Sequence, residues 1–184
     1  MKAVRSSAVR GAIGLITCAT LFACGSSDEP SGSTDSWDTV AAPVVVDSTD
    51  EVVVTDGTLA DGRYWATLSR VSGTNDLVFT VARAWFGPAC EKWAAERGMT
   101  EGCANDYAVD DIDTALVAMS PDATVSVSAP MGPGTNYGIS PATLHGLVDG
   151  SAISPIAAYQ WTGFPFVVTV SDGVVIDADQ HWVP

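Results

Sequence analysis

The sequence predicts a mainly β domain of the α+β class. It reads as a small antiparallel β-barrel or curled sheet with two short helices, with a two-layer β-sandwich as the alternative. Three features lead there. Short apolar stretches alternate with period two and are separated by Gly, Pro, Asp and Ser turns. Asp172-Gly173 stands between FVVTV and VVIDA, and that dipeptide suits the positive φ angles of a tight hairpin turn. Only two segments carry helix start and stop signals.

Taken in order, GRYWATLSRV (62–71) and LVFTVARAW (77–85) are strands flanking the turn residues SGTND. Leu77, Phe79 and Val81 alternate on one face, so the pair is predicted as a hairpin. In FGPACEKWAAERG (86–98), Pro88 suits a first helical position and Gly98 a C-terminal cap. Cys90, Trp93, Ala94 and Arg97 recur at helical spacing there. ALVAM (115–119) and TVSVS (124–128) read as two strands separated by Ser120-Pro121-Asp122, and MGPGTNYG as a loop. Ser140-Pro141 is an N-cap followed by proline, starting a helix through Val148 before Asp149-Gly150. FVVTV (166–170) and VVIDA (174–178) close the chain as its clearest hairpin.

The first residues obey a different logic. Lys2, Arg5 and Arg10 precede an apolar run, Gly11 to Phe22, that ends at Ala23-Cys24. The run is too short for a transmembrane helix, which needs ~20 apolar residues. A positive start, a short apolar run and a small residue form a secretory signal. Leu21-Phe22-Ala23-Cys24 resembles the lipobox of bacterial lipoproteins. That resemblance implies cleavage before Cys24 and acylation of its sulfur, which as a thiolate is a strong nucleophile. Two or more acyl chains, at ~0.8 kcal/mol per buried methylene, hold a protein on a membrane. Cys18 competes, but Thr17 is a poor small residue before it. The expected organisation is a signal peptide over 1–23, a lipid-anchored acidic tether over 24–56 and one mainly β domain over 57–184. The tether is rich in Ser, Thr, Asp and Pro and has no Lys or Arg, a composition that resists folding. Trp37 within it reads as an exposed aromatic, while Val44-Val45-Val46 and Val52-Val53-Val54 are candidates for pairing with the domain edge. The expected location is the outer side of the cell membrane.

Loss of residues 1–23 removes three of eight basic residues and none of the 22 acidic ones. Five cations against 22 acids leave a formal charge of −17. Such a surface repels phosphate backbones and anionic head groups, which argues against nucleic acid and makes the lipid the membrane attachment. Setting aside Cys18 and Cys24, two of the four cysteines remain, Cys90 and Cys103. An even remainder in an exported chain reads as a disulfide. A zinc site would need ligands that two histidines and no CxxC pair do not supply.

Three pieces, DGRYWATL, Asn105-Asp106-Tyr107 and the ending VTVSDGVVIDADQHWVP, resemble a group of exported proteins of high-GC Gram-positive bacteria. The resemblance implies a fold over most of 61–184 and no catalytic residues, and the Cys90/Cys103 pair lies outside its pattern.

No GxSxG or SxxK motif marks a serine nucleophile. His145 and His181 are the available bases, and packed or surface histidines are the commoner reading. Asp106, Asp110, Asp111 and Asp113 cluster in NDYAVDDIDT. Oxygen ligands suit calcium, but the spacing is not that of an EF-hand, and solvated turn aspartates are the plainer reading. Asp177 and Asp179 are expected to face water. Among the aromatics, Trp65, Trp85 and Trp93 fall on periodic segments and read as core. Tyr159 and Trp161 lie in an irregular stretch and are the candidates for an exposed ligand contact, with core or loop-anchoring packing the commoner reading. The expected function is a non-catalytic binding module for a protein, peptide or envelope component. An envelope hydrolase and a calcium-dependent module are the alternatives.

Overall fold

The computed structural model describes residues 36–44, 54–55, 58–70, 76–129, 134–157 and 159–183. The segment expected to be a signal peptide, Cys24 and most of the expected tether lie outside the described residues, as does the turn SGTND except Asp76.

The domain is mainly β. In chain order come β1 (Thr39–Ala41), β2 (Val54–Thr55), β3 (Thr58–Leu59), β4 (Gly62–Arg70), β5 (Leu77–Phe86), α1 (Gly87–Glu96) and a 3-10 turn (Ala104–Asp106). They are followed by β6 (Tyr107–Ser128), β7 (Thr135–Ile139), α2 (Pro141–Asp149), β8 (Phe166–Ser171) and β9 (Val174–Gln180). One sheet runs β1-β7-β6-β5-β4-β8-β9, and β9 returns to pair with β6. The result is a curled sheet with a partial ring. The β6–β9 contact is parallel, so the sheet, mainly antiparallel as expected from sequence, is mixed at this one seam. β2 and β3 form a separate two-stranded hairpin.

Local chemistry explains most elements. Asp172 and Gly173 adopt φ of 52° and 76°, the left-handed pair that a type I′ turn requires. The carboxylate of Asp61 accepts the Asp172 amide at 2.9 Å and ties the turn to the start of β4. Ser140 Oγ accepts from the Thr143 amide at 3.1 Å, capping α2 as its sequence predicts. Gly150, at φ 77°, closes that helix. Pro88 lies in the first turn of α1, which Gly98 follows at φ 70°.

Three segments differ from expectation. The strands 115–119 and 124–128 belong to a single 22-residue strand, β6, which also takes in the aspartate-rich run from Tyr107 onward. Pro121 is tolerated because it lies where the β6–β9 register shifts between Met119 and Thr124, and an irregular ladder does not need its missing N–H. The stretch MGPGTNYG ends in strand β7, held by β6 on one side and β1 on the other. β1 itself comes from the segment expected to be tether. It is Thr39–Ala41 that pairs with the domain; Val44 is 75% exposed.

The main core lies inside the curl. Phe79, Val81, Val127, Phe166, Val168, Val170 and Val175 are buried there, with Leu144 and Leu147 of α2 packed on them. Leu77, Phe79 and Val81 share this face as their alternation predicts. Two satellites stand outside it. Trp65 packs with Ala82, Ala84 and Val167. Cys90, Ala94, Cys103 and Ala108 pack with Trp85 and Trp93.

Candidate functional site

The end of the molecule that carries α1 gathers the expected disulfide and two successive non-glycine residues of positive φ. Cys90 and Cys103 are bonded, with Cα atoms 5.8 Å apart, and the bridge staples α1 to the turn after it. Glu91 Oε1 accepts the Cys103 amide at 3.3 Å, fixing the same junction a second time. The following turn places Asn105 and Asp106 at φ of 59° and 58°. Two successive non-glycine residues in the left-handed region are strained by an amount of order 1 kcal/mol each, and Asn and Asp tolerate it best.

This turn separates two adjoining hollows. One, of about 460 Å³, is lined by Trp93, Met99, Asn105, Tyr107 and Pro165 among others. The second, of about 300 Å³, is lined by Phe86, Asn105, Asp106, Tyr107, His181 and Trp182 among others. Asn105 and Tyr107 belong to both. Behind the first hollow Trp85 and Trp93 stack at 5.2 Å between ring centroids. The Arg97 guanidinium covers Trp93 at 4.3 Å and reaches Asp110 at 3.4 Å. Two stacked indoles, one guanidinium and one carboxylate thus meet beside the first hollow. In the second hollow His181 stands edge-on to Trp65 and Phe86. Burial among these rings lowers its pKa, because imidazolium loses more hydration there than imidazole.

Within the aspartate run, the described side chains do not converge. Asp110 and Asp111 are successive residues of β6, paired with Arg83 and Ala82 of β5, so their side chains leave opposite faces of the strand. Asp110 meets Arg97, and Asp111 accepts from Thr67 Oγ1 at 2.8 Å. Nothing is described of the Asp113 side chain. Among the described residues no group of three His, Cys, Asp or Glu converges.

Asp177 and Asp179, expected in water, are half-buried and bridge strands instead. Thr124 Oγ1 donates to Asp177 and Ser126 Oγ donates to Asp179 across the parallel seam. Burial raises the Asp179 pKa, and neighbouring Asp177 adds to the rise, while the Ser126 hydrogen bond opposes it. These residues wall a shallow hollow of about 330 Å³ with Ser36, Val40 and Gly138.

His145 lies on α2, where its Nδ1 is 3.4 Å from Asp149 Oδ2 one turn later. It lines a hollow of about 680 Å³ with Asp76 and Ser120. Ser120 Oγ accepts the amide of Asp122 at 3.3 Å, and no hydrogen bond joins Ser120 to His145 among the described residues.

Of the two candidates for an exposed contact, both pack against the main core, the commoner reading for such residues. Tyr159 is 8% exposed and belongs to the main core. Its ring is met edge-on by Trp37 at 5.2 Å and by Tyr137 at 6.3 Å. Burial raises its pKa. Trp161 is half-buried and lies 6.4 Å from Phe166. An irregular backbone does not imply exposed side chains, and here the loop folds its aromatics inward. Trp37, expected exposed, is the third member of that cluster. Sequence reasoning also passed over the Asn105-Asp106 turn as a geometric feature, although Asn and Asp are the residues that signal left-handed turns.

Compared against protein-family models, curated proteins and solved structures, the chain matches none. Fold and geometry define a curled, mixed β-sheet domain with a disulfide-stapled aromatic end.

Proposed function

We propose that this protein is a lipid-anchored extracytoplasmic lipoprotein whose β domain binds a ligand without catalysis. Cys24 carries the anchor, and the Asn105–Tyr107 turn with its two flanking hollows is the binding face. The observation that carries this reading is the shared position of Asn105 and Tyr107 between two aromatic-lined concavities. Strained backbone held by a disulfide presents a preformed surface, and preformed surfaces bind with a smaller ordering cost. Trp93, Tyr107 and Trp182 offer rings for a ligand with an apolar face, and Asn105 and Asp106 offer polar groups at its edge. A peptide or saccharide of the cell envelope has that chemistry.

Isolated cell envelopes provide the test. The purified protein is expected to sediment with them, and Tyr107→Ala combined with Trp182→Ala is expected to abolish sedimentation while far-UV circular dichroism stays unchanged. Retention of binding by the folded double variant rules this face out. The anchor is tested separately: Cys24→Ala is expected to lose fatty-acyl mass and membrane retention.

A second reading, an envelope hydrolase, draws on Ser120, Asp76 and His145 lining one hollow. It requires labelling by a fluorophosphonate that Ser120→Ala abolishes. The binding reading expects no labelling of the wild-type chain.

A further inference from the structure

The strand β1 is a small, strained occupant of a site that fits other polypeptides. We propose that residues 36–41 form a displaceable strap over a strand-addition site on β7, and that the site takes an extended peptide carrying an aromatic residue followed three positions later by a basic one.

Three observations support displacement. β1 pairs through only Thr39, Val40 and Ala41, all of them exposed. Trp37 adopts φ 48°, a conformation that is an outlier for a bulky side chain. Its ring covers Tyr159, whose hydroxyl is buried without a hydrogen-bond partner among the described residues. An unsatisfied buried hydroxyl is costly. Lifting the strap relieves the strained φ and lets water reach that hydroxyl. Both terms favour release; closure is favoured by three strand pairs, the Gly138 bonds to Trp37 and Asp38, the Ala42 amide bond to Gly134 O, and the ring contacts of Trp37 with Tyr137 and Tyr159.

The strap also reports what its seat recognises. Backbone pairing comes from Gly138, which donates to Asp38 O and accepts from the Trp37 amide, each at 3.0 Å. On one face Tyr137 and Tyr159 receive an indole. On the other, Val40 lines the same hollow as Asp177 and Asp179. A valine makes no use of two carboxylates, whereas a Lys or Arg at that position pairs with them. β7 remains held by four residue pairs to β6, so its free edge survives strap release. Main-chain bonds to an exposed edge with pockets for alternate side chains are the mode of strand addition. The binding face around Asn105 plays no part, and this inference stands whether or not that face binds a ligand.

The probe is a labelled nine-residue peptide with the sequence of residues 36–44, carrying Lys in place of Val40, titrated into the full chain and followed by anisotropy. Because a closed strap scales the apparent affinity by the released fraction, Trp37→Ala is expected to tighten binding about tenfold or more. The unmodified peptide is expected to bind that variant more weakly than the lysine peptide. A chain with Ala41→Cys and Thr135→Cys, bridged and checked by peptide mapping, is expected not to bind. Equal binding by the bridged and Trp37→Ala chains overturns the proposal, as does equal affinity for the two peptides. Native-state hydrogen exchange of the unaltered chain guards against misfolded variants. The Gly138 amide is expected to exchange roughly a hundredfold or more faster than the Val81 amide, reflecting local opening. Equal protection of the two means the strap does not lift, and the proposal falls.

Discussion

The side-chain amide of Asn136 donates to the main-chain oxygen of Gln180 at 2.7 Å, joining β7 to the end of β9 across the intervening strand β6. The same nitrogen donates to Ser126 Oγ at 2.8 Å, and Ser126 in turn donates to Asp179. Gln180 completes the system, accepting the Ser128 amide at 3.1 Å and donating to Thr162 O at 2.7 Å. Asn136 and Gln180 are fully buried. This chain of hydrogen bonds fixes the parallel seam that curls the sheet.

Asn136→Ala is therefore expected to cost about 2–3 kcal/mol, since it strips a donor from two buried acceptors and leaves a cavity. Urea unfolding should show a lower midpoint with an unchanged slope. A midpoint within experimental error of wild type would remove the network from the account of the fold.

Gly146 tests packing against helix propensity. Alanine is intrinsically better than glycine in a helix by about 1 kcal/mol. A Cβ at Gly146, however, would lie 2.6 Å from the Ala152 Cβ and 3.2 Å from the Ala152 amide nitrogen. That amide is bonded to Gly146 O at 2.9 Å, so the loop cannot retreat without losing the bond. Overpacking typically costs about 1–3 kcal/mol, so Gly146→Ala is expected to destabilise on balance. A rise in melting temperature would show that the loop yields easily.

The disulfide closes a loop of 13 residues in sequence separation. Replacing both Cys90 and Cys103 by Ser is expected to cost about 3 kcal/mol and to loosen the Asn105–Tyr107 turn. The unaltered domain should show neither thiol to Ellman's reagent in denaturant. Two titratable thiols from these positions would refute the bridge.

His181 sets a pH dependence of defined sign. Its pKa is lowered in the folded state, so between that value and the unfolded value of about 6.5 the unfolded chain binds more protons. Stability is fully present above about pH 6.5 and declines as the pH falls toward the folded pKa. Asp179 acts oppositely and at lower pH, because its folded pKa is raised and protonation near the carboxylate range favours the fold. His181→Phe, which keeps the aromatic contacts with Trp65 and Phe86, is expected to flatten the slope just below pH 6.5. An unaltered slope would assign it to another group.

Much of the fold was legible where the determinant is local. Asp172-Gly173 specifies its hairpin because few residue pairs accept two positive φ angles. Ser140-Pro141 specifies a helix start because a hydroxyl and a ring settle the first turn. Misreadings arose where a distant partner decides. Pro121 looks like a strand break, yet β6 continues through it because β5, β7 and β9 hold the flanking residues. Tyr159 is a candidate exposed contact because its segment is irregular, and its covering partner, Trp37, lies over a hundred positions away by residue number.

By itself, the sequence determined the mainly β class, the two helices, the terminal hairpin and the pairing of Cys90 with Cys103, since each depends on short-range φ preferences, periodicity or simple counting. It also carries the run Leu21-Phe22-Ala23-Cys24, whose resemblance to a lipobox is a matter of residues in a row. Tertiary structure alone decided the parallel β6–β9 seam, the burial of Tyr159, the two hollows beside Asn105 and the seating of Trp37. Those depend on which apolar and hydrogen-bonding surfaces meet after the sheet curls, and no local propensity encodes a meeting between residues far apart in the chain.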